Sequence, residues 1–150
     1  MGTTQAGTIT TASILNSDII GGAGISASKL KHQSVMHADF DQPIGGTPVV
    51  YEKTLFMATG PGTIQKCKAW LSDSGTSTDI DFDLEVNGAS VLSAQINILH
   101  GTGDGTAVSG TVSSGALVAG DIVTALVATV TSSTGAQGPN LQIEVDHDYV

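Results

Sequence analysis

Hydrophobic and polar residues alternate along much of the chain after residue 33. The segment 79–86 is the clearest case, because apolar side chains occupy every second position and four carboxylates occupy the positions between them. Successive side chains of a β-strand point to opposite faces of a sheet, so this pattern predicts a strand with one buried face. With Gly or Pro in nearly every gap, the same reasoning predicts eight strands, at residues 34–41, 49–57, 63–71, 79–86, 90–98, 107–112, 122–130 and 140–148.

Two of these strands carry more specific expectations. Residues 122–130 are apolar on both faces apart from Thr124 and Thr129, which is typical of a central strand. The closing strand, 140–148, has apolar residues at alternate positions, which predicts one buried face. In the predicted strand 63–71, Cys67, Ala69 and Leu71 share one face. Together these three strands supply a hydrophobic core.

The hairpin between the fourth and fifth predicted strands has a register problem. A two-residue turn at Asn87 and Gly88 would place Leu92 on the acidic face of the hairpin. A three-residue loop that pairs Val86 with Ser90 instead aligns the apolar rows of both strands. The register therefore favours the three-residue loop with a bulge.

Eight short strands and tight turns predict an all-β fold, an antiparallel β-sandwich of the jelly-roll type. The 150 residues are enough for one domain with a real core. We assign residues 34–150 to this body and residues 1–33, which are rich in Gly, Thr, Ser and Ala, to an extended N-terminal arm.

The arm carries large aliphatic side chains in a pattern that suits neither a strand nor a helix, and Gly21, Gly22 and Gly24 would weaken either element. So many aliphatic residues are unusual for a disordered tail. They predict burial either against another protein surface, which we favour, or against the body of the same chain. The predicted partner-binding residues of the arm are Ile14, Leu15, Ile19, Ile20, Ile25, Lys29 and Leu30.

The charge excludes several classes of partner. All five cations are lysines, so the bidentate arginine contact that dominates nucleic-acid recognition is missing. No apolar run is long enough to span a membrane. The formal net charge is −9. The chain from Ala69 to its end contains ten acidic residues and no Lys or Arg. The acidic surface either maintains solubility or meets lysines of the first half.

Residues that could support catalysis or metal binding do not form a recognisable motif. The four histidines are scattered, and the single cysteine, Cys67, alternates with apolar residues that indicate a core position. The acids of 79–86 resemble the start of a calcium loop, but the sixth position is Leu84 where that loop needs Gly. A cation shared with a second acidic row at 144–148 remains an alternative. The sequence predicts a non-enzymatic protein without a cofactor.

Two further features are open to more than one interpretation. The segment 101–106 is rich in Gly but has no Walker lysine, so we interpret it as a flexible loop. Trp70 shares a face with Lys66 and Lys68, where it is either a partner-binding anchor or a side chain covered by a loop. A carbohydrate-binding module would also use such a residue, although the chain has only six aromatic side chains.

The segment NSDIIGGAGISASKL, residues 16–30, resembles a phrase found in structural proteins of tailed bacteriophages. The rhythm of residues 48–148 is similar to small β-sandwich domains of such virion proteins. The first residues lack the basic and apolar regions of a secretory signal, which predicts synthesis in the host cytoplasm. The resemblance implies a homo-oligomer, commonly a trimer, bound in the virion to the major capsid protein or another virion protein. The function expected from it is capsid decoration (a cement protein), with a tail or fibre subunit and a carbohydrate-binding module as alternatives.

Overall fold

The computed structural model describes residues 32–40, 42 and 47–148. Within them the chain forms ten strands and one short 3-10 turn at His100–Thr102. Residues 1–31 lie outside the described residues, and so does the predicted arm apart from its last two positions. The strands are β1 His32–Ala38, β2 Tyr51–Met57, β3 Gly62–Asp73, β4 Ser77–Val86, β5 Ala89–Ser90, β6 Ile96–Leu99, β7 Val108–Gly110, β8 Ala116–Leu117, β9 Ile122–Thr134 and β10 Gln137–His147.

The strands form two antiparallel five-stranded sheets. Sheet A has the order β1-β10-β3-β7, with β8 also paired to β3, and sheet B has the order β2-β9-β4-β5, with β6 also paired to β4. Apart from the two-residue strands β5 and β8, successive strands change sheet at every connection except the β4–β6 hairpin. This connectivity is that of a jelly roll. The predicted all-β sandwich is therefore confirmed.

The core lies between the sheets and is built from the alternating positions that the sequence indicates. β9 pairs with β2 on one side and β4 on the other, so its predicted central position is confirmed. Cys67, Ala69 and Leu71 of β3 are buried on one face. The largest fully buried side chains are Phe40, Phe82, Ile64, Leu71, Ile80, Leu84, Ile98, Leu141, Ile143, Val123, Val127 and Val145.

The predicted three-residue loop in the β4 hairpin is wrong. Val86 pairs with Ala89, so the turn has two residues, Asn87 and Gly88, both with positive φ (52° and 80°). Such angles are those of a type I′ turn, whose twist matches that of the strands. The register conflict is real, but residues 92–95 resolve it. They leave the sheet after Val91, whose N still donates to Leu84 O at 2.9 Å, and pairing resumes at Ile96.

That excursion splits the predicted strand 90–98 into β5 and β6, and it has its own contacts. Asp83 is buried, and its carboxylate accepts hydrogen bonds from Ser90 Oγ at 2.7 Å and Gln95 Nε2 at 3.3 Å. Val91 and Leu92 enter the core. The strand therefore breaks because a buried carboxylate and two core side chains need partners that continuous pairing would not provide.

Several boundaries also differ from the prediction. β1 begins at His32, two residues before the predicted start, and β8 lies in the gap between the predicted strands 107–112 and 122–130. The two acidic rows considered as an alternative cation site lie in different sheets, since residues 79–85 belong to β4 in sheet B and Glu144 and Asp146 to β10 in sheet A. The two rows consequently do not form one cation site.

The two lateral edges of the sandwich are built differently. Where β6 and β7 approach each other, backbone hydrogen bonds join the sheets, from Ser93 N to Thr111 O at 2.9 Å and from Ser113 N to Val91 O at 2.8 Å. At the opposite edge, β1 ends sheet A and β2 ends sheet B. Within the described ranges, each of these two strands pairs with one neighbouring strand only.

Candidate functional site

The edge formed by β1 and β2 contains a groove of about 350 Å³ between the two sheets. One wall comes from β1 and the other from β2 and the residues that follow it. The inward faces of both strands are only partly covered, unlike the buried inner faces of β9 and β10. The main lining residues are the apolar Met36, Phe56, Met57 and Leu117 and, at the polar end, Ser34 and His147.

Three large apolar side chains lie exposed beside this groove. The exposed fractions are 61% for Met57, 63% for Val118 and 45% for Ile122. Met57 pairs with Ile122, and the loop that carries Val118 is fixed to the groove wall by a 2.7 Å hydrogen bond from Ala58 N to Asp121 O. We call Met57, Val118 and Ile122 the apolar rim. Exposed apolar side chains grouped beside a groove are typical of an interaction site.

The two edge strands differ in how open they are to a further strand. β2 has a bulge at Leu55, and Lys53, opposite the buried Ala125, pairs with Asp39 at 2.9 Å. Bulges and inward charges are the devices by which edge strands resist pairing with other chains. β1 pairs with β10 in unbroken register from His32 to Ala38 and has neither device.

The chain enters β1 at the groove. His32, the first residue of β1, is paired with His147, which lines the polar end of the groove. His147 Nε2 lies 3.0 Å from Ser34 Oγ, so these two side chains hold each other across the β1–β10 pair. β1 therefore begins beside this opening.

The outer face of sheet A presents a second feature, an aromatic stack. Trp70 of β3 and His37 of β1 lie with ring centroids 5.2 Å apart and planes within 6° of parallel. Asn140 lies opposite Trp70 on β10, and its Oδ1 is 2.9 Å from His37 Nε2. Asn140 Nδ2 also donates to Gly138 O at 2.6 Å. The buried Asn140 thus fixes the orientation of the His37 ring in its stack with Trp70.

A shallow groove of about 310 Å³ lies on the same outer face. Lys66, Lys68, Gln142 and Glu144 supply polar groups to it. Lys66 Nζ donates to Glu144 Oε2 at 2.9 Å, so this lysine of the first half meets an acid of its own chain. The outer face of sheet A therefore combines an aromatic pair with several hydrogen-bonding side chains.

The remaining candidate groups have structural environments. Burial, with a smaller contribution from the charge of Asp83, raises the pKa of the Cys67 thiol to about 12. A thiol with that pKa is a poor nucleophile at neutral pH, and the predicted core position of Cys67 is confirmed. In the described part of the chain, no group of three or more His, Cys, Asp or Glu side chains could hold a metal ion.

The Gly-rich segment 101–106 is anchored by side-chain and backbone hydrogen bonds. Asp104 Oδ1 accepts hydrogen bonds from Ser74 N at 2.8 Å and Ser74 Oγ at 3.0 Å, and these bonds lower the pKa of Asp104. Gly105 N donates to Leu71 O at 2.8 Å. The segment thus serves to tie the end of β3 to the end of β6.

The predicted site residues separate into two groups. Trp70 is half-buried on the outer face of sheet A, where it contacts His37 as well as facing the same side as the lysines. The other seven, Ile14, Leu15, Ile19, Ile20, Ile25, Lys29 and Leu30, lie outside the described residues.

Sequence reasoning did not find the groove or its rim. Met36 and Met57 lie in the predicted strands 34–41 and 49–57, and their sequence positions do not distinguish them from ordinary core or surface residues. The sequence contains only an indirect indication of an edge strand. In residues 49–57, charged and large apolar residues do not alternate regularly. Which strand lies at an edge depends on the strand order, which periodicity does not contain.

Comparisons with known proteins add little to this geometry. No family model matches the chain, and no curated protein does. Among solved structures, the native structure of a family 35 carbohydrate binding module from Clostridium thermocellum is similar with a TM-score of 0.39 and 17% sequence identity, covering 77% of this chain and 95% of that chain. A similarity of this size does not bear on function. Within the described ranges, no helix has the length and apolar character that crossing a membrane requires.

Proposed function

We propose that the protein is a non-enzymatic structural subunit of a virion that assembles as a homo-oligomer, and that it decorates and stabilises a capsid. Jelly rolls occur in viral capsid domains and in lectins, so the fold by itself does not choose between these classes. The proposal depends on a surface and on the resemblance of residues 16–30 to phage structural proteins.

The observation that carries the proposal is the open apolar edge. The β6/β7 edge is closed by backbone hydrogen bonds, whereas the β1/β2 edge has an apolar groove and three exposed apolar rim residues. Burying apolar surface contributes about 25 cal/mol per Å². A subunit that repeats in a lattice gains further from avidity, so contacts of modest strength are sufficient for stable attachment.

Locating the protein on particles tests the proposal. Virions from a phage that encodes this chain are labelled with an antibody against the folded body and imaged by electron microscopy. Label over the whole head is expected for a decoration protein. Label confined to the tail would replace decoration with the tail or fibre subunit, and purified virions without label would contradict a virion role.

A second candidate function, carbohydrate binding, is favoured by one specific observation. The His37–Trp70 stack lies on a face that also presents Lys68, Gln142 and Glu144. Aromatic faces that pack against the apolar face of a ligand, together with a few polar groups, are the usual composition of small-molecule sites. On this alternative, the outer face of sheet A binds a sugar ring.

The carbohydrate alternative has a direct optical test, because Trp70 is the only tryptophan in the chain. Oligosaccharides selected on a glycan array are titrated while tryptophan fluorescence is recorded. If the alternative holds, a ligand shifts the emission, and His37→Ala weakens binding roughly tenfold, as expected for the loss of one stacking contact of about 1.4 kcal/mol. Val35→Ala, on the same strand and face, is the matched control. An array without hits would remove the alternative.

A further inference from the structure

We propose that the groove between β1 and β2 receives part of residues 14–30 from a second copy of this chain, which adds as a strand to the free edge of β1. The inference rests on the proposed function, since it assumes that copies assemble, and it names the segment and the surface that hold them together. In this mode, backbone hydrogen bonds provide affinity and side-chain pockets provide register.

The edge of β1 is the better acceptor on structural grounds. β1 pairs with β10 without interruption over seven residues, and its second side has no strand neighbour among the described residues. On β2, the bulge at Leu55 and the Lys53–Asp39 pair oppose regular addition. A strand added to β1 would place alternate side chains over Met36 and Phe56.

The segment 14–30 has side chains that suit the apolar part of this groove. It contains Ile14, Ile19, Ile20 and Ile25. The groove presents Met36, Phe56 and Leu117 at an accessible opening. The aliphatic residues are spaced too irregularly for an internal strand of a sandwich. A short added strand that buries one or two side chains in a groove does not need alternation over the whole of residues 14–30.

The direction of the chain favours a second copy over the same copy. To cover its own groove, the chain must reverse before His32, and residues 25–31 contain neither Gly nor Pro. A reversal at Gly21–Gly24 leaves seven residues outward and seven residues, 14–20, inward. Each stretch spans at most about 23 Å, so within one copy residues 14–20 reach Met36, which lies further along β1, only if residues 25–31 are much shorter than their extended length. An arm that continues away from its own body needs no such reversal to reach a second copy.

Cysteine cross-linking between two distinguishable copies tests the proposal. One copy carries Ile19→Cys or Ile20→Cys, and the other, which has an affinity tag, carries Ser34→Cys or Met36→Cys in the groove. Val35→Cys, on the opposite face of β1, is the matched control. The native Cys67 is buried and has a pKa of about 12, so we expect it to form no disulfide under mild oxidation. Circular dichroism of each variant establishes that it is folded.

We expect a disulfide between the two copies from only one of the positions 19 and 20 to Ser34→Cys or Met36→Cys in the groove. The same donor position is expected to give no disulfide with Val35→Cys. Adjacent residues of a strand point to opposite sides, so selection between positions 19 and 20 is the signature of strand addition. A disulfide forms only when the Cβ atoms approach within about 4.5 Å.

Other outcomes separate this inference from the proposed function. Oligomers that sediment normally but give no mixed cross-link overturn the groove as the acceptor and leave the structural role intact. Both cysteines placed in one copy and linked only within that copy overturn exchange between copies. A chain that remains monomeric at all concentrations overturns both the inference and the proposed assembly.

Discussion

At the scale of single residues, two backbone positions decide how the β4 hairpin turns. Asn87 and Gly88 both have positive φ, the region in which side chains other than Asn, Asp and Gly are strained. Asn87 has an additional role, because its Oδ1 accepts a hydrogen bond from Ile122 N at 2.9 Å and its Nδ2 donates to Asp121 at 2.8 Å. The turn is therefore fixed to the neighbouring strand β9.

Replacing Gly88 with alanine is expected to destabilise the fold by about 1 kcal/mol, because φ at this position is +80° and alanine is strained there. No neighbour lies within 4 Å of the added methyl group, so the strain alone accounts for the change. Differential scanning calorimetry would record a Tm lower by roughly 2–4 °C.

Gly101→Ala is the matched control, since Gly101 also has open space around it and has no positive φ. Its Tm is expected to stay close to that of the parent protein. Equal losses in Gly88→Ala and Gly101→Ala would show that backbone strain at the turn is not the cause.

At the scale of elements, alternation predicted the long strands well and the interrupted one poorly. β3, β4 and β9 cover the segments that their apolar periods indicate, and β10 covers all of its segment except the last residue. The agreement arises because a period of two follows directly from strand geometry. The hairpin loop was predicted wrongly because register counting assumed continuous pairing from Ser90 to Ile98. Strand pairing is interrupted there, and Ser90 and Gln95 donate hydrogen bonds to the buried Asp83 carboxylate. The carboxylate needs these donors only because it is buried when sheet B forms.

The same excursion links element and edge. Residues 92–95 leave sheet B and reach the end of β7 in sheet A, where Ser93 N donates to Thr111 O. One interruption in one strand thus satisfies a carboxylate, adds Val91 and Leu92 to the core and closes a lateral edge of the sandwich. The opposite edge has no comparable connection among the described residues and keeps its groove.

At the scale of the whole molecule, the asymmetry between the edges predicts where copies would meet in the proposed homo-oligomer. Met57→Glu places a charge in the apolar rim, where contact with another copy would bury it at a cost of several kcal/mol. We expect the dissociation constant of the oligomer to rise at least about a hundredfold, measured by analytical ultracentrifugation over a range of concentrations.

Leu99→Glu provides the matched control for this prediction. Leu99 is 50% exposed on β6 at the closed edge, so the substitution adds the same charge on a side chain of similar exposure. Its sedimentation is expected to equal that of the parent protein. If Leu99→Glu dissociated the oligomer and Met57→Glu did not, the interface would lie at the other edge.

The sequence by itself determined the class of the fold, the long strands, the central place of β9 and the buried face that includes Cys67. These follow from local periodicity and turn chemistry, which are properties of neighbouring residues. Only the tertiary structure decided which strands lie at the edges, where the hairpin breaks and that His37 stacks on Trp70. Each of these depends on pairing between residues far apart in the chain, and local periodicity carries no information about such pairs.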